Sequence, residues 1–176
     1  TDEFLGGDGE GWNFSAGKWQ TSPQGWLSQT DRTLDHGQAE KGDALPALEV
    51  SLSVRPGEGT GRCGIHLLHE GGPLDAPPTR TAIWLYPNGA GLNVEFELLG
   101  APDPHSEHLL APKATDQDGF QHLRCVRQGG RETIYINGHE VGCLPALGER
   151  ARLALVTERR AADFTGVRVT WLPSDP

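Results

Sequence analysis

Apolar residues recur at every second position along much of this chain. Leu48, Val50, Leu52 and Val54 alternate with Glu49, Ser51, Ser53 and Arg55, a period of two that sends one row of side chains inward and the other outward. The same alternation runs through Cys63-Ile65-Leu67, through Ile83 and Leu85 against Trp84 and Tyr86, and through Val94-Phe96-Leu98 against Glu95 and Glu97. It returns in Ile134 and Ile136 against Thr133 and Tyr135, where Gly129-Gly130 and Asn137-Gly138 supply tight turns on either side. Asn-Gly is the strongest short signal for a two-residue hairpin, because both central residues need positive φ. Strands are therefore predicted near residues 3–5, 25–30, 48–55, 63–69, 81–86, 92–98, 120–127, 133–137, 152–157 and 164–172.

Between these runs lie segments rich in Gly, Pro and charge, at 31–46, 71–78 and 100–113, which read as long loops. Long ordered loops on a β scaffold are common places for binding function. The one helical signal is a short turn near 146–150. The pattern predicts an all-β protein, a two-sheet antiparallel β-sandwich. At 176 residues one domain spanning 1–176 is expected, with no internal repeat. The 24 glycines and 13 prolines are scattered between apolar runs, as in a turn-rich β fold rather than a disordered chain. The chain has no methionine and starts at Thr1, as expected of a processed chain or of one module excised from a longer protein.

A net charge of −9 argues against nucleic acid, whose phosphates are met by clustered Lys and Arg. Neutral ligands stay open. No apolar run reaches the roughly 18 residues of a membrane span, so no membrane insertion is expected. Three cysteines, Cys63, Cys125 and Cys143, leave at least one unpaired. Cys63 and Cys125 sit on the apolar side of their strands and read as small buried hydrophobes. No Cys-x-x-Cys spacing points to zinc.

The order of signals carries a resemblance. Asp2-Glu3-Phe4, Gly11-Trp12, Gly17-Lys18-Trp19 and Gly25-Trp26-Leu27 with Gln29 resemble the opening strands of concanavalin-A-like sandwiches, the lectin, glucanase and laminin-G-like superfamily. Residues 120–142, with an aromatic, a His, a basic strand, a turn and a strand ending in Asn-Gly, are similar to the middle of those domains. Leu153 to Thr157 followed by Phe164 to Thr170 resembles their closing strands. Nearest in character are sugar-binding modules of bacterial glycoside hydrolases and 3-keto-disaccharide hydrolase-like domains. The resemblance implies a jelly roll with a curved face that binds glycans in many relatives, an extracellular or periplasmic setting, and a covalently linked catalytic domain as partner.

Trp84 and Tyr86 share one face of a strand, and Glu95 and Glu97 share one face of the next. Were the two strands neighbours, aromatic rings would stack on a sugar while carboxylates accept from its hydroxyls. Packing for the aromatics and a solvated face for the glutamates is the plain alternative. Glu95 and Glu97, about 7 Å apart at the backbone, fall within glycosidase separations. The glucanase pattern, however, has a Glu, an Asp and a further Glu where this chain has Asn93, Glu95 and Glu97.

His66, Arg124 and Tyr135 are further polar candidates, with Trp26 on the rim. For Arg124 the plain alternative is an ion pair with Glu132 or another surface acid. His122 faces the same way as Arg124. The histidines lack His-x-His and His-x-x-x-His spacing, so no transition metal is expected. Calcium is the ion the resemblance implies, with Asp2 or Glu3 as first ligand, but Thr165 stands where the family has Asp. Asp116-Gln117-Asp118-Gly119 is only a fragment of a calcium loop. No cofactor is expected. Asn13-Phe14-Ser15 is a glycosylation sequon, and neither a Gly-x-Ser-x-Gly nucleophile nor a phosphate loop is present.

The expectation is a carbohydrate-binding module for an oligo- or polysaccharide. The alternatives are a glycoside hydrolase of the same fold using Glu95 or Glu97, and a structural domain packed on a catalytic one.

Overall fold

The computed structural model describes residues 2–4, 12–24, 26–40, 42–72, 78–89, 91–103, 105–114 and 118–173. It holds thirteen strands: β1 (Asp2–Phe4), β2 (Asn13–Ala16), β3 (Trp19–Thr21), β4 (Leu27–Gln29), β5 (Gly37–Glu40), β6 (Leu48–Glu70), β7 (Arg80–Asn88), β8 (Gly91–Leu99), β9 (His105–Pro112), β10 (Gln121–Gln128), β11 (Arg131–Ile136), β12 (His139–Pro145) and β13 (Arg150–Trp171). Every pairing is antiparallel. No helix occurs among the described residues, and the turn expected near 146–150 is irregular chain.

Two very long strands organise the molecule. β6 and β13 run beside each other from Glu70↔Arg150 to Leu48↔Trp171, and each belongs to two layers. In the first layer the order is β12-β11-β10-β6-β13, using residues 48–54 of β6, with β1 on the far side of β13. In the second it is β9-β8-β7-β6-β13-β5-β2, using residues 63–68 of β6. Sequence reading split each long strand in two, at 56–62 in β6 and at 158–163 in β13; the first of these holds Pro56-Gly57-Glu58-Gly59-Thr60-Gly61.

That stretch is where the pair bends from layer to layer. A Cβ on Gly61 would lie 1.7 Å from the Glu158 carbonyl oxygen, and Gly59 has φ +144°, so neither position takes a side chain without moving backbone. Arg160 clamps the crossing, donating to the Gly61 carbonyl at 2.6 Å and the Gly57 carbonyl at 2.7 Å.

The alternating apolar rows meet between the layers. Leu48, Val50, Leu52, Val54, Leu123, Cys125, Ile134 and Ile136 face Cys63, Ile65, Leu67, Ile83, Leu85, Val94, Phe96 and Leu155, all buried. A register shift between Thr165 and Arg168 changes the phase of β13, so Val167 and Val169 point inward after Ala162 and Phe164. Cys63 and Cys125 are buried free thiols, as their alternation predicts. Burial pushes the Cys63 thiol up to about 12.

One polar knot joins the layers. Glu132 of β11 is fully buried, pairs with Arg127 at 3.4 Å, and accepts from Thr81 of β7. His69 Nε2 lies 3.2 Å from the same carboxylate, and Arg127 also donates to the carbonyls of Leu147 and Gly148. The ion pair considered for Arg124, with Glu132 or another surface acid, forms with the other acid, because Glu132 lies on the opposite face. Arg124 pairs with Glu49 at 3.3 Å.

Two predicted loops contain strands. β5 lies within 31–46 and β9 within 100–113. β5 turns only Gly37 and Ala39 to the core, and β9 is an edge strand with one mostly exposed side, so neither shows a clear apolar row. Of 71–78, residues 73–77 lie outside the described residues.

Candidate functional site

The outer face of the second layer gathers most of the chemistry. β7 and β8 are neighbours in register, Trp84 opposite Glu95 and Ala82 opposite Glu97, and β6 puts Gly64 opposite Trp84 and His66 opposite Ala82. β13 adds Val156 beside Gly64, Ala154 beside His66 and Glu158 beside Arg62. The centre of this face is therefore small: Ala82, Gly64, Ala154 and Val156. Around it stand Arg62 and Arg80, with Glu95, Glu97 and Glu158, His36 and His66, Trp84 and Tyr86.

Arg62 is the hub. Its guanidinium donates to Glu95, lies 3.5 Å from Glu97 and 3.2 Å from Glu158, and covers the Trp84 ring at 4.4 Å. Burial works against its charge, yet Glu158 and Glu97 outweigh that and its pKa is raised. Tyr86 Oη donates to the other Glu95 oxygen at 2.9 Å. Burial first, and then this bond, raises the Tyr86 pKa. Beside them Arg62, Tyr86, Glu95, Glu158, Thr60, Gly61 and Arg159 line an open cleft of about 310 Å³.

Both oxygens of Glu95 thus accept from groups of the chain itself. Arg62 has no acceptor to offer, and Tyr86 is already the donor in its bond. A general acid needs a proton on one of those oxygens, and here each already accepts one hydrogen bond from the chain.

Trp84 differs from its expected part. It is 3% exposed, with Arg62 over one face and His66 at its edge, centroids 5.2 Å apart. It is a floor rather than an open stacking platform, and truncating a buried Trp costs about 3–5 kcal/mol. Loss of binding in W84A could therefore reflect loss of folding. His66 is 2% exposed. Burial, then the positive charge of Arg80, His36 and Arg62, pulls its pKa down to about 3, so it is neutral.

The remaining candidates do not join this site. Arg124 and Tyr135 lie on the outer face of the first layer, the guanidinium 4.1 Å from the ring centroid. With Ser51, Ser53 and His122 they line a separate hollow of about 240 Å³, where Ser53 Oγ is 2.7 Å from His122 Nδ1. Trp26 holds Arg55 against Phe120 where β4 meets β13. Arg55 in turn pairs with Asp163 at 2.7 Å, so the carboxylate next to Phe164 is committed to a guanidinium. The side chains of Asp2 and Glu3 and residues 116–117 lie outside the described residues. Among the described residues no three His, Cys, Asp or Glu side chains converge as a metal site.

Arg62 and Glu158 escaped sequence reading. Arg62 has the parity of His66 on β6, which was the available signal. Glu158 shares the parity of Ala154 and Val156, but only the pairing of β6 with β13 brings it to Arg62.

No protein-family model matches the chain, and no curated protein matches it in sequence. Solved structures do resemble it. Carbohydrate-binding module CBM66 from Bacillus subtilis aligns with TM-score 0.65 at 15% identity over 90% of this chain and 94% of that one. The β-glucanase of Bacillus licheniformis gives 0.69 at 11% over 98% and 99%. The κ-carrageenase of Pseudoalteromonas carrageenovora, in complex with an oligotetrasaccharide of kappa-carrageenan, gives 0.64 at 12% over 96% and 90%. The chain has the concanavalin-A-like jelly-roll fold. At such identities the likeness is one of fold, which hosts binders and enzymes alike.

Proposed function

We propose that this chain is a carbohydrate-binding module whose glycan lies on the outer face of the second layer, beside Arg62. The observation that carries this reading is the double acceptance at Glu95, bound by Arg62 and Tyr86. It suits recognition of hydroxyls better than proton transfer. Glu158, Glu97 and Tyr86 supply further polar contacts along the rim, and Trp84 sets the floor. The structural neighbours named for carbohydrate binding, glucan hydrolysis and carrageenan hydrolysis support a carbohydrate role. The module reading extends to an extracellular or periplasmic setting and a linked catalytic partner.

The test is a screen of the chain against β-glucan, fructan and plant-wall oligosaccharides, with product analysis of every hit. Saturable binding without new reducing ends, weakened in E158Q, supports the module. Cleavage that vanishes in E95Q or E97Q replaces it with a hydrolase. Absence of any binding leaves a structural domain.

A further inference from the structure

Among the described residues, Nδ1 and Nε2 of His66 and Nε1 of Trp84 are buried on this face without a hydrogen-bond partner, as is Nε of Arg152 further along β13. Buried polar groups are nearly always bonded, and orphaning them is costly. Here three lie together, because His66 and Trp84 are edge to face at 5.2 Å. His36 stacks on the far side of His66 at 6.1 Å, but its own Nε2 is engaged with Gln38 at 2.7 Å. On the near side the end of a flexible side chain, Arg62, covers the Trp84 ring. The backbone beneath is lined by Gly64, Ala82, Ala154 and Val156, so no bulky group fills the floor, and the adjoining cleft gives the Arg62 head a place to go.

From this geometry we infer that Arg62 is a movable cover over a hidden subsite for an uncharged sugar ring, formed by the Trp84 indole and the His66 imidazole. This rests on the reading of the same face as glycan-binding. When Arg62 swings into the cleft, one face of the indole opens for the apolar side of a pyranose or furanose ring. The indole N–H then donates to a ring hydroxyl. The neutral imidazole donates through one nitrogen and accepts through the other, as a hydroxyl requires. Departure of the guanidinium also frees Glu97, which does not line that cleft, as an acceptor.

A cover that must open taxes affinity by the fraction of time it is open. The experiment is calorimetric titration of wild type, R62A and R62A/H66F with neutral β-glucan and fructan tetrasaccharides. The expected result is that R62A binds a neutral probe roughly tenfold more tightly than wild type. Adding H66F should remove that gain. Weaker binding by R62A than by wild type would make Arg62 a ligand contact, overturning the cover while keeping the glycan-binding face. Unchanged affinity, or a gain that survives H66F, also overturns it. Binding of no probe by any of the proteins would instead overturn the glycan-binding reading itself. Should R62A fail to fold with three carboxylates left together, R62Q keeps the side-chain length without the charge. Acrylamide quenching of tryptophan gives a second measure: R62Q should gain a quenchable component that W84F removes, and its absence overturns the cover.

Discussion

Two arginine–glutamate clusters in this molecule have the same chemistry and opposite circumstances. Arg127 and Glu132 are sealed between the layers, their side chains 3% and 0% exposed. Arg62 and its three glutamates sit on an outer face, each between about a fifth and a quarter exposed. Inside, the members of the cluster are bonded to chain: Arg127 donates to the carbonyls of Pro46, Leu147 and Gly148, Thr81 donates to Glu132, and the His69 ring is bonded to the Thr79 hydroxyl. On the face, the guanidinium is matched to carboxylates while the nitrogens beneath it are unmatched. A cluster that satisfies all its members fixes the two layers. One that satisfies its rim and leaves its floor unpaired is built to exchange partners.

The sharpest break in this comparison comes from the buried cluster. Removing one member of a buried pair leaves an uncompensated charge, which costs about 3–5 kcal/mol. R127M should lose about that much in urea denaturation, because Glu132 keeps its charge with no cation beside it. A double change, R127M with E132L, should recover much of the loss, since replacing both partners by apolar groups of similar size removes the orphaned charge. If R127M unfolds at the wild-type midpoint, the interior cluster is no more structural than the outer one.

Next in size is the titration of His66. Its folded pKa of about 3 lies below the ordinary value of 6.5, so between those two pH values the unfolded chain binds more protons than the folded one. The stability that comes from keeping this ring neutral is complete above pH 6.5 and is lost as pH falls toward 3. The loss is on the order of a few kcal/mol near the bottom of that window. Arg62, Arg80 and His36 face the ring and resist its protonation in the same direction. H66F should flatten this part of the profile when unfolding free energy is measured from pH 7 to pH 4. An equal slope in both proteins would mean that the ring is solvated after all.

Much of this frame was legible in the alternating positions, and the missing parts share a cause. Parity along a strand tells which residues share a side, so the joint face of Trp84 and Tyr86 and that of Glu95 and Glu97 could be read directly. Parity does not tell which layer a strand joins. Arg124 and Tyr135 were therefore grouped with Trp84, although β10 and β11 lie in the other layer. Nor does it reveal contacts that depend on how distant strands pair. Arg62 and Glu158 are 96 positions apart in the chain and meet only because β6 runs unbroken through a glycine-rich bend. β5 and β9 stayed hidden because small residues and an exposed edge show no apolar row.

On the outer face, loss of the Arg62 charge should cost far less stability than loss of Arg127. Partly exposed pairs are each worth up to about 1 kcal/mol, and with three such partners R62Q is expected to lose about 1–2 kcal/mol in urea. The same variant should change affinity for a neutral glycan more than it changes stability. A loss as large as that of R127M would make the two clusters equivalent and would place Arg62 among the structural residues.

The smallest effect belongs to the first layer's outer face, where Arg124 lies on Tyr135 and pairs with Glu49. Both partners are a third or more exposed, so water and salt screen the pair, and a few tenths of a kcal/mol is the expected loss in R124A. Because this face is separated from Arg62 by the whole core, R124A should leave the affinity for neutral oligosaccharides unchanged in the same titration. A several-fold loss of binding with unchanged stability would move the glycan to the hollow of Ser51, Ser53, His122 and Tyr135. The comparison would then turn on which of two outer faces is occupied, and the orphaned nitrogens of His66 and Trp84 would lose their ligand.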